Sequence, residues 1–417
     1  MPVLTLFWLA LLVGAAAVFF LQCLLVLKMK VDAAYLFAFC IYFDLFGYFY
    51  KLLAPGQALV LLIALPLLPV LAALFHRPTS ARDIFRDPGV WLWAIFFVYA
   101  LVSLAWAPSD SAGLTKEIVL FAHGVIPAAY IYIVYKKYGK FSWTAVAWVG
   151  LAFAAAHLLL GEYSGEYPGR LTLPGGNPIF HARASLMTAT VCLWAKPIPL
   201  PLRLTALAAA LVSAFATQSR GPVVVFAAAN AVMFAVWLIR KYRNKRFGLS
   251  RLLVPLLLLL PLAGAALSAY GPQLAQWIGG SRFMVLFDVN QLFGDDNYIG
   301  RLELQAKALE KFAASPFFGA GLGSVTQPLA RDFPHNIVLE IAAEGGIAGL
   351  TLWTFAVLFA LGAAVGRSPL LAVLLLQTAG YALVSGDFGF NYEYVVIAFT
   401  ALSLMPQRQP KGAVSTL

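Results

Sequence analysis

Charge is what this 417-residue chain has least of. Asp, Glu, Lys and Arg make up 11% of it, hydrophobic residues 62%, and mean hydropathy is +0.83. Soluble domains average about 25% charged residues, so one large soluble core is excluded and lipid must serve as solvent. Cysteine is scarce too. Cys23, Cys40 and Cys192 all fall in apolar runs, where they pack as small hydrophobes and supply neither a disulfide framework nor metal-ligand spacing. No His/Cys cluster, EF-hand or Asp-x-Asp pattern occurs, so neither a metal nor a cofactor is expected. No aromatic-interleaved basic patch occurs either. The formal charge of +11 therefore points to topology and anionic lipid headgroups, not to nucleic acid.

Long apolar runs are what the chain does have. The stretches 3–27, 31–50, 57–75, 89–107, 114–135, 141–160, 179–195, 202–218, 221–239, 250–270, 336–364, 369–386 and 391–405 are candidate spans, judged against the roughly 17–20 residues that cross hydrocarbon. Span 31–50 carries Asp44, and 391–405 is the shortest. The expected fold class is all-α: a polytopic integral membrane protein of about 12–13 transmembrane helices with one large polar loop. No basic residue precedes the first run and no small-residue cleavage site follows it, so it reads as retained. The chain divides into transmembrane helices at 1–270, the loop at 271–335, transmembrane helices at 336–405 and a tail at 406–417.

Basic loops alternate along the chain. Lys28 and Lys30; Arg77, Arg82 and Arg86; Lys136, Lys137 and Lys140; Lys196 and Arg203; Arg240 to Arg251; Arg367; and Arg408 with Lys411 share one side, which the positive-inside rule makes cytoplasmic. That rule leaves the 271–333 loop outside and the C-terminus inside. The outer side is acidic, with Asp110, Glu117, Glu162, Glu166, Asp288, Asp295, Asp296, Glu303, Glu310 and Asp332. Against that background Arg170, Arg183, Arg220, Arg282, Arg301 and Arg331 stand out. Cations kept at helix mouths are costly without partners, and these imply an anion.

Three motifs have the means for chemistry. Thr217-Gln218-Ser219-Arg220-Gly221-Pro222 is a tight turn that leaves Arg220 at a cavity mouth, either snorkelling to headgroups or clamping a phosphate bidentately. Asp295 to Arg301 puts Arg301 at the start of an amphipathic helix whose stripe runs Leu302, Gln305/Ala306, Leu309 and Phe312/Ala313, ended by Pro316. An arginine at a helix N-terminus suits a diphosphate; pairing with Asp295 or Asp296 is the plainer reading. Pro334-His335-Asn336 places an imidazole at the mouth of a long apolar helix, as a proton acceptor or an ordinary rim residue. His181, beside Arg183, is a minor alternative. Asp387 in Gly386-Asp387-Phe388-Gly389 either orients His335 or an arginine, or simply forms the turn. Gly319-Ala320-Gly321-Leu322-Gly323 has no preceding strand and no following Lys-Ser/Thr, so it reads as a bend and not as a nucleotide loop.

Together these residues resemble the bacterial O-antigen ligase family. The resemblance rests on Arg220-Gly221, Arg301, Pro316-Phe317-Phe318-Gly319-Ala320-Gly321, His335-Asn336 and Glu344-Gly345, set among many spans. It implies an integral-membrane glycosyltransferase (GT-C-like) architecture in a bacterial inner membrane, its large loop and active site facing the periplasm. Implied partners are an undecaprenyl diphosphate-linked glycan donor, a lipid A–core acceptor and membrane lipids. Implied roles are diphosphate binding by Arg220 and Arg301, action at the acceptor hydroxyl by His335, and a metal-independent, inverting transfer. Arg183, Asn336 and Asp387 are further substrate-binding candidates. A polymerase or a protein oligosaccharyltransferase of the same superfamily is a near rival. A lipid-linked glycan transporter is a distant one, since its charges would more often sit at mid-membrane in paired halves.

Overall fold

The computed structural model describes residues 28–53, 84–108, 112–163, 165, 169–243, 296–326 and 333–405. The expected spans 3–27, 57–75 and 250–270, loop residues 271–295 and 327–332 (with Arg282 and Arg331) and the tail 406–417 lie outside the described residues. The expected all-α polytopic membrane class holds. The helices are α1 (Ala33–Ile41), α2 (Phe43–Leu53), α3 (Pro88–Ser103), α4 (Gly113–Leu120), a π-helical turn (Phe121–Val125) leading into α5 (Ile126–Tyr138), α6 (Trp143–Leu160), α7 (Pro178–Trp194), α8 (Leu200–Ala216), α9 (Arg220–Arg243), α10 (Asp296–Ala314), α11 (Ile337–Arg367), α12 (Pro369–Val384) and α13 (Glu393–Ser403). Among the described residues the strands are one short antiparallel pair, β1 (Glu162–Tyr163) and β2 (Leu171–Thr172), with Glu162 opposite Thr172. Gly113–Tyr138, Trp143–Leu160, Arg220–Lys241 and Ile337–Arg367 are long and apolar enough to cross a membrane; α3, α8, α12 and α13 are shorter apolar helices.

Local chemistry sets the helix starts. Asp32, Asp87, Ser142, Asn177, Asn336 and Ser368 each cap the helix that follows through a side-chain oxygen, with proline in the first turn of α3, α7 and α12. Pro127 has no N–H to give its helix, and the preceding turn widens to π geometry. Close packing comes from small side chains: Ala206, Ala210 and Ala214 of α8 are buried where it meets α6 and α7. The outward faces stay apolar, as with Val212, Val232 and Phe355, which suits lipid and not water.

The helices have two distinct ends. At one, Ser142 N–H donates to Asp32, Thr144 to Pro197 O, Lys136 to Met405 O and Arg240 to Val365 O. The described basic residues that alternate through the sequence gather there. The other end carries the hairpin β1–β2, α10 and the loops containing the sequence motifs. The doubtful span 31–50 forms α1 and α2, broken at Tyr42, with Asp44 in the first turn of α2 opposite His181. The shortest expected span yields α13, buried over its whole length.

Helix α10 departs from expectation. It starts at Asp296, so Arg301 sits in its second turn and not at its N-terminus. It packs on α11 with Ala308 buried and Leu304 half-buried; of the expected stripe, Gln305 and Phe312 are half-buried, while Leu302 and Leu309 point outward, 44% and 51% exposed.

The glycine-rich bend after α10 interlocks with a break in α11. Ala320 and Gly321 N–H donate to Ala343 O (2.8 Å) and Glu344 O (2.9 Å), while Ile347 and Ala348 N–H donate to Pro316 O (2.8 Å) and Phe317 O (3.1 Å). Gly346 takes φ 64°, and a Cβ there would stand 2.4 Å from the Phe317 carbonyl carbon; at Gly319 it would stand 2.3 Å from that of Glu344. Left-handed geometry alone costs a side chain roughly 1–2 kcal/mol. Gly346→Ala and Gly319→Ala should each therefore destabilise the protein by about 2 kcal/mol or more, read as thermal unfolding in detergent. Gly362→Ala, which meets open space, should be neutral or slightly stabilising.

Candidate active site

The C-terminal end of α12 collects the arginines. Its last carbonyls lack helical partners and carry partial negative charge. Arg301 Nη1 donates to Val384 O (3.1 Å), and Arg183 Nη2 donates to Tyr381 O (3.1 Å) and Ser385 O (2.7 Å). Arg220 opens α9, and a Cβ on its neighbour Gly221 would lie 3.2 Å from a methyl of Val384. Val384 thus accepts from Arg301 and packs against Gly221, the residue after Arg220, although the two arginines are 81 residues apart in sequence. Both are half-buried.

Arg183 is not at a rim. It is buried, donates to Asn391 Oδ1 (2.8 Å), lies 3.7 Å from Glu393 and sits over the rings of Phe180 and Tyr381. Its guanidinium holds α7 to α12 and to the turn before α13. Arg170 also turns inward, donating to Thr217 O (3.0 Å) and Ser219 Oγ (2.6 Å). It braces the turn from which Arg220 projects.

His335 lies close enough to Arg301 and Arg183 to feel both charges. Its ring packs 4.3 Å from that of Phe333, and its Nδ1 is buried with no hydrogen-bond partner among the described residues. Burial, and then the two arginines, push the imidazole down to about 4, so it is neutral at pH 7. His335 takes φ 53°, and Gln218, two residues before Arg220, takes φ 52°; these are the positive-φ non-glycine residues among those described. Such strain persists where surrounding structure imposes it, commonly at functional sites.

The remaining candidates have local duties. Asn336 Oδ1 caps α11, accepting from Val338 and Leu339 N–H (3.1 and 3.2 Å). Asp387 is buried and accepts from Phe390 N–H (2.8 Å), which is the turn-forming reading. Lys116 is the cation whose charge it feels. His181 is buried, 3.1 Å from Thr172 Oγ1 and 3.5 Å from Asp44. His157 bonds Ser213 (2.8 Å) and Leu171 O (3.1 Å).

Sequence reasoning missed a buried ion cluster. Lys116 of α4 donates to Glu340 and to Glu344 (2.7 Å) of α11, with all three side chains at most 4% exposed. Glu117, expected on the acidic outer side, is buried beside it. Charge is thus not confined to one rim. The signal was present: Lys116 lies in an apolar run, and Glu340 and Glu344 are spaced i,i+4 in another, each requiring a partner in a low-dielectric setting.

Comparison with known proteins gives two matches. A family profile described as O-antigen ligase matches residues 205–354. A protein of Pseudomonas aeruginosa named O-antigen ligase is 28% identical over 326 residues, covering 74% of this chain and 73% of that protein. Both matches support the O-antigen ligase superfamily for this chain. The segment matched to the O-antigen ligase family contains Arg220, Arg301, His335, Asn336, Glu340 and Glu344, while Lys116, Arg183 and Asp387 lie outside it.

The depressed affinity of His335 gives a titration test. Protonation of the ring is deferred in the fold, so the stability tied to its neutral form is complete near pH 7 and is lost as pH falls from about 6.5 to about 4. Histidine-labelled NMR of the protein without substrate should show His335 titrating near pH 4. A midpoint near 6.5 would remove Arg301 and Arg183 from its surroundings.

Proposed function

We propose that this chain transfers a glycan from undecaprenyl diphosphate to lipid A–core at the periplasmic face of the inner membrane, inverting the anomeric centre without a metal. The observation carrying this reading is that Arg301 bonds Val384 O where Gly221, next to Arg220, packs on the Val384 side chain, with His335 under the charge of Arg301. A diphosphate oxygen is a stronger acceptor than a peptide carbonyl and is matched by the planar guanidinium fork. As the bond between anomeric carbon and diphosphate breaks, negative charge grows on the leaving group. The two guanidinium groups stabilise it in a partly dry site.

The acceptor hydroxyl attacks the anomeric carbon from the opposite face, and its proton passes to the neutral His335 ring. Burial, and then the arginines, keep that ring a weak base. A bound diphosphate offsets their charge and raises its proton affinity, so the base is strengthened when the donor is in place. Such a base contributes about 10²–10⁴-fold.

Purified protein given lipid-linked glycan and lipid A–core, separately and together, tests the reading: product should need both lipids and should form undiminished in excess chelator. Longer glycan on the donor lipid alone would identify a polymerase, and loss on chelation restored by a divalent cation would sink the two-arginine account. Arg220→Lys and Arg301→Lys should cut transfer at least tenfold, because a point charge cannot reproduce the fork. His335→Ala should cut transfer but spare donor binding. For sidedness, a cysteine at Gly300 should react with an impermeant thiol reagent on intact cells, and one at Gly139 should not; both positions have open surroundings. The reverse pattern would place the site in the wrong compartment.

A further inference from the structure

We propose that Lys116 is a positioning residue for the transfer site, its ammonium holding His335 in register with Arg301 and Arg183. This inference rests on the reading of His335 as the group at the acceptor. Lys116 projects from the first turn of α4 and bridges Glu340 and Glu344. Glu340 stands one turn below the start of α11, where its N–H donates to Asn336 O (3.0 Å). Both Glu340 carboxylate oxygens accept from Phe388 N–H (3.1 Å each). That bond places the 385–391 turn, in which Asn391 Nδ2 donates to Ser385 O (3.1 Å) and Asp387 O (2.8 Å) while its Oδ1 accepts from Arg183. Val384, just before the turn, accepts from Arg301. Glu344 Oε1 also accepts from Val325 N–H (3.4 Å), tying in the segment that leads back from α10.

One ammonium therefore joins α4, the first turns of α11, the turn after α12 and the glycine-rich segment. These pieces carry or fix His335, Arg301 and Arg183, yet Lys116 touches none of the three among its bonds. A buried carboxylate pair repels itself once its cation is removed. Without Lys116 the Glu340 carboxylate that holds the turn is left unneutralised beside Glu344, and as the two separate the imidazole moves relative to both arginines.

The test follows His335 itself. The purified full-length protein is treated with diethyl pyrocarbonate, and modification of each histidine is timed by peptide mass spectrometry. In Lys116→Met, His335 should react at least fivefold faster, while His157, held by Ser213 and Leu171 O, keeps its wild-type rate. Glycan transfer should fall at least tenfold in turnover, with a smaller change in donor KM. Should Lys116→Met not fold, the uncharged Lys116→Met/Glu340→Gln/Glu344→Gln protein decides the question, because it leaves no unpaired buried ion. It should still show a faster His335. Wild-type reactivity of His335 in whichever of these proteins folds, or an equal rise at every histidine, would overturn the proposal. Normal transfer by His335→Ala would instead overturn the acceptor-side reading and leave His335 reactivity to judge Lys116.

Discussion

An ion inside an apolar bundle has to be matched by another, and the loop end of this protein is built on that constraint. Lys116 with Glu340 and Glu344, and Arg183 with Glu393, are buried pairs in a chain with few charges to spare. Removing one partner of such a pair costs about 3–5 kcal/mol, although a well-packed apolar replacement of the whole set can be nearly neutral. The pairs therefore say less about stability than about geometry. Each admits one arrangement of α4, α7, α11, α12 and α13, and the half-buried arginines and His335 inherit their positions from it.

The end of α12 is where this geometry becomes chemistry. Helix C-termini present carbonyls that attract cations, and Arg301 and Arg183 answer Val384, Tyr381 and Ser385. The two do so differently. Arg183 is buried, its contacts lie within the protein, and it acts on His335 as a fixed charge. Arg301 and Arg220 are half-buried, which in the proposed reading leaves their guanidinium groups within reach of an anion near the end of α12. A site of this kind is preorganised: the donors are in place before charge develops, and little rearrangement is needed when it does.

Several local features point the same way. The left-handed residues Gln218 and His335 flank the turn of Arg220 and the start of α11, and Arg170 braces the former through Thr217 and Ser219. The break in α11 at Gly346 is seated in the bend at Pro316–Gly321. Strain is thus held where the motif residues project, while described residues farther along the bundle pack by alanine stripes and caps.

The membrane class, the helices within the described spans and the residues worth watching were all legible in the amino-acid sequence, because hydropathy and charge alternation act over local windows that lipid reads directly. Arg220, Arg301 and His335 stood out for the same reason: each is a polar group where topology alone supplies no cause for one. Partners were not legible. Leu302/Leu309 and Leu304/Ala308 are both helical stripes of α10, and only packing on α11 decided that the second faces the protein. Arg183 read as a rim cation and became an interior one once Glu393 and Asn391 met it from α13 and its preceding turn. Lys116 passed unremarked as a partner, since Glu340 and Glu344 lie more than 220 residues away. Pairing a buried charge is a long-range choice made by the fold, and the sequence by itself determined only that the choice had to be made.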